Sequence, residues 1–310
     1  MHLDKSTDFL GFSGAWQSPS PPTACLRVAG EDALPFLQGQ FTQELRPAVA
    51  PPVAYGLWLN QKGKVLADSF VLRETPELLW VVSFTTSAAV IVERLAAYII
   101  ADDVIITDET AAWQGLALGG SGAAAWLAEA AGGVPAGGEF IRAGGGWVFR
   151  GHRDSGPTFE WLRPAGASAL GGLAELTVEG LERLRIAAGI PQVPHDIGPG
   201  ELPNEGGLDE VAVAYTKGCY LGQEVMARLK AMGTVRRRLV RVRAAGRTPP
   251  AVPMALLQGE KRVGELRSVV ADGAGGFIGL ALLTKLGLDP LLPLAPEPGG
   301  PGFIELIDLP

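Results

Sequence analysis

The order of apolar and polar residues along the chain predicts short strands mixed with amphipathic helices. Continuous or alternating apolar residues, the pattern of strands, occur at 24–29, 55–60, 64–72, 78–84, 104–108, 114–119, 147–150 and 160–162. Apolar residues at helical spacing occur at about 31–38, 87–100, about 123–131 and 176–188. The turn Asn60-Gln61-Lys62-Gly63 joins two of the strands as a hairpin. This mixture predicts the α+β class.

A second stretch predicts a strand, a turn and the start of a helix. Residues 211–215 alternate as a strand does, and Lys217 with the glycine after it forms a turn. Leu221, Val225 and Leu229 recur four positions apart, so we expect a helix to begin near position 221 or 222. The segment 217–224, which contains the turn and the helix start, reads KGCYLGQE.

Three regions follow from these patterns. Residues 1–22 are polar and end in Ser-Pro-Pro, so we expect a loosely held N-terminal lead-in. Residues 23–233 mix strands and helices and form an α+β region of two subdomains. Residues 234–310 contain short strands separated by glycines, followed by a proline-rich tail, and predict a C-terminal domain that resembles a β-barrel.

Composition narrows the class of protein. With 47% hydrophobic and 19% charged residues among 310, the chain can bury a large core. The net charge of −7 opposes adhesion of the whole surface to nucleic acid or to an anionic membrane. The first twenty residues lack a basic start followed by an apolar stretch, so we expect a cytoplasmic protein. Two cysteines exclude a disulfide framework, and the scattered histidines His2, His152 and His195 predict no metal site.

Cys219 is the candidate reactive group. A loop that leads into a helix start presents backbone N–H groups, and Lys217 adds a positive charge nearby, which together favour a reactive thiolate. The alternative is a buried, inert cysteine beside Tyr220, because free cysteines are among the most buried residues. Glu224 and Arg228 also have an alternative interpretation, an ion pair on a solvated helix face.

A basic run follows this motif. Seven cations and no acid lie between 228 and 243, namely Arg228, Lys230, Arg236, Arg237, Arg238, Arg241 and Arg243. Such a run suits a polyanionic ligand tail or an RNA backbone. Alternatively, Arg241 and Arg243 line the wet face of a strand whose Val240 and Val242 point inward.

The motif KGCYLGQE resembles the signature of the YgfZ family of folate-binding proteins, which are relatives of the glycine cleavage T-protein, an aminomethyltransferase. Further segments resemble the same family in the same order, at 27–33, 36–42, 60–68, 98–104, 185–191 and 201–205. The segment 227–239 is similar to the branch that contains the mitochondrial iron–sulfur assembly factor. The resemblance extends over residues 24–285.

This resemblance implies a ring of three subdomains around a central channel that accepts tetrahydrofolate. The α/β subdomains are then ferredoxin-like, and a β-barrel module follows. The T-protein's catalytic carboxylate falls on Ala67, and a second carboxylate, which contacts the pterin, falls on Ala187. Because the T-protein reaction needs a carboxylate beside the folate nitrogen, the resemblance does not by itself imply an enzyme.

The resemblance implies a tetrahydrofolate-binding accessory factor that builds or repairs iron–sulfur clusters in client enzymes, including tRNA-modifying ones. Cys219 is then the functional thiol, and Lys217 assists it. The implied folate contacts are Asn60, Asp68, Tyr220, Gln223, Glu224 and Arg228. Because clusters generally need about four ligands, Cys219 ligates one only transiently, together with a client. The implied partners are folate and iron–sulfur client or assembly proteins, and we expect a monomer with no stable nucleic-acid or membrane partner.

Two other functions stay open on the sequence. A folate-dependent one-carbon transferase acting on an amine would use Asp68 or Cys219 in place of the T-protein carboxylates. An RNA-binding regulator would use the arginines of 236–243, and its binding would weaken steeply as salt rises.

Overall fold

The computed structural model describes residues 14–309, which form three β-sheets and six α-helices. The strands are β1 (Ala15–Pro19), β2 (Ala24–Ala29), β3 (Val53–Leu59), β4 (Val65–Thr75), β5 (Leu78–Ser83), β6 (Ile105–Asp108), β7 (Trp113–Gly120), β8 (Phe140–Ala143), β9 (Gly146–Arg150), β10 (Phe159–Pro164), β11 (Ala174–Glu175), β12 (Arg237–Ala244), β13 (Met254–Gln258), β14 (Lys261–Ala271), β15 (Phe277–Thr284) and β16 (Glu305–Leu306). The helices are α1 (Ala33–Gln40), α2 (Ala88–Ala96), α3 (Ala123–Ala130), α4 (Val178–Ala187), α5 (Leu208–Ala212) and α6 (Gln223–Met232). Among residues 14–309, no helix has the length and apolar character needed to cross a membrane.

The first sheet has the order β3-β4-β5-β2-β6, and its neighbouring strands are antiparallel. Helices α1 and α2 cover one face, where Leu26, Ala67 and Val71 are buried. The opposite face carries Tyr55 and Phe70 and packs against the second sheet. The hairpin and the helices predicted for this region are confirmed. The path β2-α1-β4-β5-α2-β6, to which β3 adds one strand, is that of a ferredoxin-like subdomain.

The second sheet has the order β11-β1-β7-β10-β9-β8, so β1 lies inside it. Trp16 of β1 is 1% exposed, and its indole lies against Gly119 of β7, where a Cβ would collide with the ring. The prediction of a loosely held lead-in was therefore wrong for Ala15–Pro19. Five residues are too few to display an alternation, and pairing with the distant β7 specifies this strand. Residues 1–13 of the predicted lead-in, with His2, lie outside the described residues.

The third sheet has the order β13-β14-β15-β12-β16 and curls into a half-barrel. The pairing register shifts once between β13 and β14 and once between β14 and β15, and such bulges bend strands. Val240 and Val242 of β12 are buried in its core, as the strand pattern predicts. The predicted domain boundary at 233/234 lies in the turn between α6 and β12.

Residues 211–215 do not form the predicted strand. Helix α5 extends to Ala212, and the extended residues after it bond to Thr42 instead of to a strand. The Thr42 hydroxyl donates to the carbonyl of Ala212 at 2.6 Å, and its carbonyl accepts from the N–H of Ala214 at 3.0 Å. The apolar pattern reflects the burial of Ala212 and Val213 at the end of a short helix, which over so few residues resembles a strand.

Candidate functional site

Cys219 lies on the loop between α5 and α6, at an exposed groove of about 510 Å³. The groove is lined by Gly39, Gln40, Gln61 and residues 219–224. The N–H of Leu221 donates to the carbonyl of Gly39 at 3.2 Å and ties the loop to the end of α1. The other cysteine, Cys25, is buried in the first sheet, and burial raises the pKa of its thiol. The interpretation of Cys219 as a buried, inert residue is therefore wrong.

Lys217 anchors this loop from the inside. Its ammonium donates to the backbone carbonyls of Gln38 at 2.8 Å, Phe41 at 2.6 Å and Gln43 at 2.8 Å. Burial lowers the pKa of Lys217 to about 7, although the negative charge of Glu44 favours the charged form. All three N–H donors are in use, so none is left for folate or for the Cys219 thiol. We therefore correct the predicted role of Lys217 from a catalytic group to a positioning residue.

Gly222 fixes the start of α6 against the hairpin of the first sheet. Its φ is +88°, and a Cβ there would lie 2.9 Å from the carbonyl oxygen of Asn60. The side-chain oxygen of Asn60 accepts from the N–H groups of Lys62 and Lys64 at 2.9 and 3.0 Å, which closes the hairpin turn. Asn60 thus supports the groove through the turn on which α6 rests.

Gly222→Ala is expected to lower the free energy of unfolding by about 2 kcal/mol, because alanine is strained at this φ and its Cβ meets backbone. Gly218→Ala is the matched control in the same loop. A Cβ at Gly218 meets no atom within 4 Å, so its effect should stay below about 0.5 kcal/mol. Urea denaturation checks both variants, and equal stabilities would contradict the close approach of Gly222 to the hairpin.

The other predicted residues of the motif have different environments. Tyr220 is buried in an apolar core, and burial raises its pKa to about 12. The side-chain amide of Gln223 donates to the carbonyl of Lys217 at 3.3 Å. Glu224 and Arg228 are exposed on α6 and form no ion pair with each other or with another residue of 14–309. The alternative interpretation of these two as an ion pair is therefore wrong.

Asp68 lies away from the groove, in a recess between the first and second sheets. Its carboxylate oxygens accept from the Tyr55 hydroxyl at 2.8 Å and the Thr85 hydroxyl at 3.0 Å. Burial raises the pKa of Asp68, and these hydrogen bonds together with the charge of Arg153 offset part of that rise. The His152 ring stacks on Tyr55, with ring centroids 5.4 Å apart. The recess thus joins a carboxyl group, a phenol and an imidazole.

An ion pair between the partly buried Arg153 and the buried Glu160 supports one wall of the recess. Arg153 Nε donates to Glu160 at 2.6 Å, and its Nη2 donates to the Ser20 hydroxyl at 2.7 Å. The guanidinium also lies over the ring of Phe84, 4.6 Å from the centroid. Burial and the charge of Arg153 both lower the pKa of His152, so its imidazole is neutral at pH 7. A neutral imidazole offers one donor and one acceptor.

The recess adjoins a much larger cleft. The two share the wall residues His152, Ile190 and Pro191, and the cleft has a volume of about 1150 Å³. It lies between the ends of α4 and α5 and the third sheet. Small-molecule sites commonly have volumes of about 300–1,000 Å³, whereas the recess, at about 40 Å³, admits only a small group. A large ligand therefore fits the cleft, and one edge of the ligand can face the recess that Asp68 lines.

The groove and the cleft, with its recess, have no lining residue in common, so the predicted single site divides in two. Of the predicted residues, Asp68 lines the recess, and Cys219, Tyr220, Gln223 and Glu224 line the groove. Among residues 14–309, no group of three or more His, Cys, Asp or Glu side chains is placed to hold a metal ion. Cys219 therefore has no set of co-ligands in the described part of the chain.

The alternation of β4 places its two adjacent positions on opposite faces of the sheet. Ala67 is fully buried against the helices, whereas Asp68 faces the recess. The recess therefore keeps the carboxyl group of Asp68 although position 67 carries no acid. Ala187, the second position without an acid, lines the cleft.

Ion pairs neutralise much of the basic run. Three of its arginines form salt bridges, Arg237–Glu205 at 2.8 Å, Arg241–Asp308 at 2.7 Å and Arg243–Glu305 at 3.1 Å. Val240 and Val242 point into the core between them. These contacts favour the interpretation as a strand with a wet face over that of an RNA-binding surface.

Comparisons with known proteins agree with this architecture. Residues 23–137 match the model of the GCVT N-terminal domain. The structure is similar to that of the glycine cleavage system aminomethyltransferase T from Bartonella henselae, with a TM-score of 0.80 and 18% identity, covering 98% of this chain and 88% of that one. The chain therefore has the fold of an aminomethyltransferase T-protein, and the predicted α+β, T-protein-like fold is confirmed.

Sequence similarity identifies the family more closely. The human mitochondrial iron–sulfur cluster assembly factor IBA57 is 35% identical over 282 residues, which cover 83% of this chain and 74% of that protein. The mouse protein of the same name is 32% identical over 289 residues, which cover 84% and 75% of the two chains. This chain belongs to the IBA57 family.

Proposed function

We propose that this protein is an accessory factor for the assembly or repair of iron–sulfur clusters, with Cys219 as its functional thiol and tetrahydrofolate bound in the cleft. The observation that carries the proposal is the placement of Cys219, an exposed thiol on a loop that the buried Lys217 anchors. The names of its human and mouse relatives as iron–sulfur cluster assembly factors support the role. The proposed clients include tRNA-modifying enzymes, and the proposed compartment is the cytoplasm, whereas those two relatives are mitochondrial.

Cys219 contributes one thiolate ligand at most to a cluster. The described residues offer it no co-ligands, and clusters generally need about four ligands. The proposed step is therefore shared ligation, in which a client or carrier protein supplies the remaining ligands. The exposed neighbours Glu224 and Arg228 then serve the contact with that protein.

The cleft and recess fit a folate in size and in chemistry. A pterin is a flat ring with donors and acceptors at its edge, and the recess offers it Tyr55, His152 and the carboxyl group of Asp68. The Asp68 carboxyl group accepts from the Tyr55 and Thr85 hydroxyls, and its two oxygens have more lone pairs than these two bonds use. The bound folate would supply a carrier for one-carbon groups. Asp68 is the predicted folate contact that this arrangement favours.

Anaerobic calorimetry with tetrahydrofolate tests the proposal. The wild type is expected to bind, and Asp68→Asn to bind at least about tenfold more weakly, because a hydrogen bond to a charged group is worth roughly 1.5–3 kcal/mol. Cys219→Ala serves as the control and should bind as the wild type does, because the groove and the cleft have no wall residue in common. Absence of binding by the wild type would contradict the folate part of the proposal.

A folate-dependent one-carbon transferase is the second candidate, because a carboxyl group, that of Asp68, faces the recess. Turnover of a methylated amine in the presence of tetrahydrofolate, lost in Asp68→Asn, would favour this function. An assay in which product forms equally with Asp68→Asn would rule out a role for this carboxyl group in such a transfer.

A further inference from the structure

Residues 305–309, here called the strap, lie along the edge of β12 at the cleft. The carboxylate of Asp308 accepts from Arg241 Nε at 2.8 Å and from its Nη2 at 2.7 Å. The N–H of Ile307 donates to the carbonyl of Arg241 at 2.8 Å. Two residues further along β12, Arg243 donates to the carboxylate of Glu305 at 3.1 Å. The strap thus presents two carboxylates to two arginines of the cleft wall.

Arg241 is held in place independently of the strap. Its Nη1 donates to the carbonyl of Ala187, at the end of α4, at 2.5 Å. This bond leaves the Nε–Nη2 edge of the guanidinium free to bind a carboxylate. The carboxylate of Asp308 occupies that edge in a bidentate contact. If the strap moves away, the same edge remains oriented for another carboxylate.

The end of the strap, after Leu306, is weakly held. Strand β16 has two residues, and the apolar side chains of Ile307 and Leu309 are 44% and 76% exposed. The Arg243–Glu305 pair is more than half exposed on both sides, and exposed ion pairs contribute little to stability. Leu306 packs against the core of the third sheet, so the part of the strap that can leave is 307–309, and Asp308 is its main side-chain attachment to the cleft wall.

The shape of this wall matches a ligand that carries a series of carboxylates. Arg241 and Arg243 lie two positions apart on one strand, so their side chains leave the same face about 7 Å apart. A folate bears a glutamyl tail, and additional γ-linked glutamates add one carboxylate each. With one edge of the pterin at the recess, the tail would extend along the cleft, where these two arginines lie.

We propose that Arg241 and Arg243 form a subsite for the γ-glutamyl tail of the ligand, and that the strap fills this subsite until the tail displaces it. The inference rests on the proposed binding of folate in the cleft and adds to it a selectivity for longer tails. Asp308 and Glu305 then act as internal competitors of the ligand carboxylates. A ligand with several glutamates displaces the strap more readily than one with a single glutamate.

Calorimetry with tetrahydrofolate carrying one or three glutamyl residues tests this subsite. The wild type should bind the triglutamate form more tightly, and Asp308→Asn should strengthen that binding by about fivefold, since it weakens a competing ion pair. Arg241→Gln should remove the preference for three glutamates. Glu297→Gln is the matched control, because Glu297 is exposed outside the cleft lining, and it should bind both forms as the wild type does. The inference would be overturned if the wild type, Asp308→Asn and Arg241→Gln showed the same ratio of affinities for the triglutamate and monoglutamate forms.

Hydrogen exchange at the Ile307 amide gives a readout that needs no variant. The triglutamate form should speed this exchange, because displacement of the strap breaks the bond to Arg241. Binding of the triglutamate form without faster exchange would overturn the strap inference and leave the proposed function intact. Absence of any folate binding would contradict the proposed function instead. In that case a free γ-linked triglutamate peptide tests the subsite alone, and unchanged Ile307 exchange with it overturns the inference.

Discussion

Lys217→Met is expected to lower the free energy of unfolding by about 3–5 kcal/mol. Methionine fills a similar volume but has no donor, so the carbonyls of Gln38, Phe41 and Gln43 lose their common partner. A buried polar group left without a hydrogen bond costs roughly 1–3 kcal/mol, and here three carbonyls are affected together. The loop that carries Cys219 loses its internal anchor in the same step.

Urea denaturation of Lys217→Met beside Lys285→Met measures this effect. Lys285 is exposed after β15, so the same lysine-to-methionine change there removes no buried contact and should change the unfolding free energy by less than about 0.5 kcal/mol. The reaction rate of Cys219 with a maleimide, measured in the folded proteins, should change in Lys217→Met and not in Lys285→Met. Equal stability of the two variants would show that the three carbonyls do not depend on the ammonium.

Elements that depend on residues close in sequence were predictable. The hairpin of β3 and β4 follows from two apolar runs around a short turn, and α2 and α4 follow from apolar residues at helical spacing. Strand β1 and helix α5 were not predictable in this way. Each is short, and each is specified by a distant partner, β7 for β1 and Thr42 for the residues after α5. Tertiary contacts override so brief a local pattern.

The site was predictable in part for the same reason. The motif 217–224 located the groove, but its sequence could not show that Lys217 points inward, because its three acceptors lie 174 to 179 residues away. Asp68 was predicted, whereas its neighbours His152 and Arg153 were missed. They come from the turn between β9 and β10, which reaches the recess only through the packing of two sheets. Tyr55 carried a signal, because the register of the β3–β4 hairpin places it on the same face as Phe70 and Asp68.

Cys219→Ser is expected to abolish the support of iron–sulfur client enzymes while leaving the fold and the folate cleft intact. The side chain is exposed, so the exchange of sulfur for oxygen removes no buried contact, but serine does not provide a thiolate for a cluster. The measurement is the activity of iron–sulfur enzymes in cells that lack the endogenous protein and receive the wild type or Cys219→Ser. Client activity should fall to the level of cells without the protein.

Cys25→Ala is the matched control, because it removes the other thiol from a buried position in the first sheet. It should cost about 1 kcal/mol of stability and retain client activity. Thiol labelling of the folded wild type should modify Cys219 and leave Cys25 unmodified until urea unfolds the chain. Client activity that survives Cys219→Ser would remove the thiol from the proposed mechanism. Since the cleft and the groove have separate walls, such a result together with intact tetrahydrofolate binding would assign the function to the Asp68 recess.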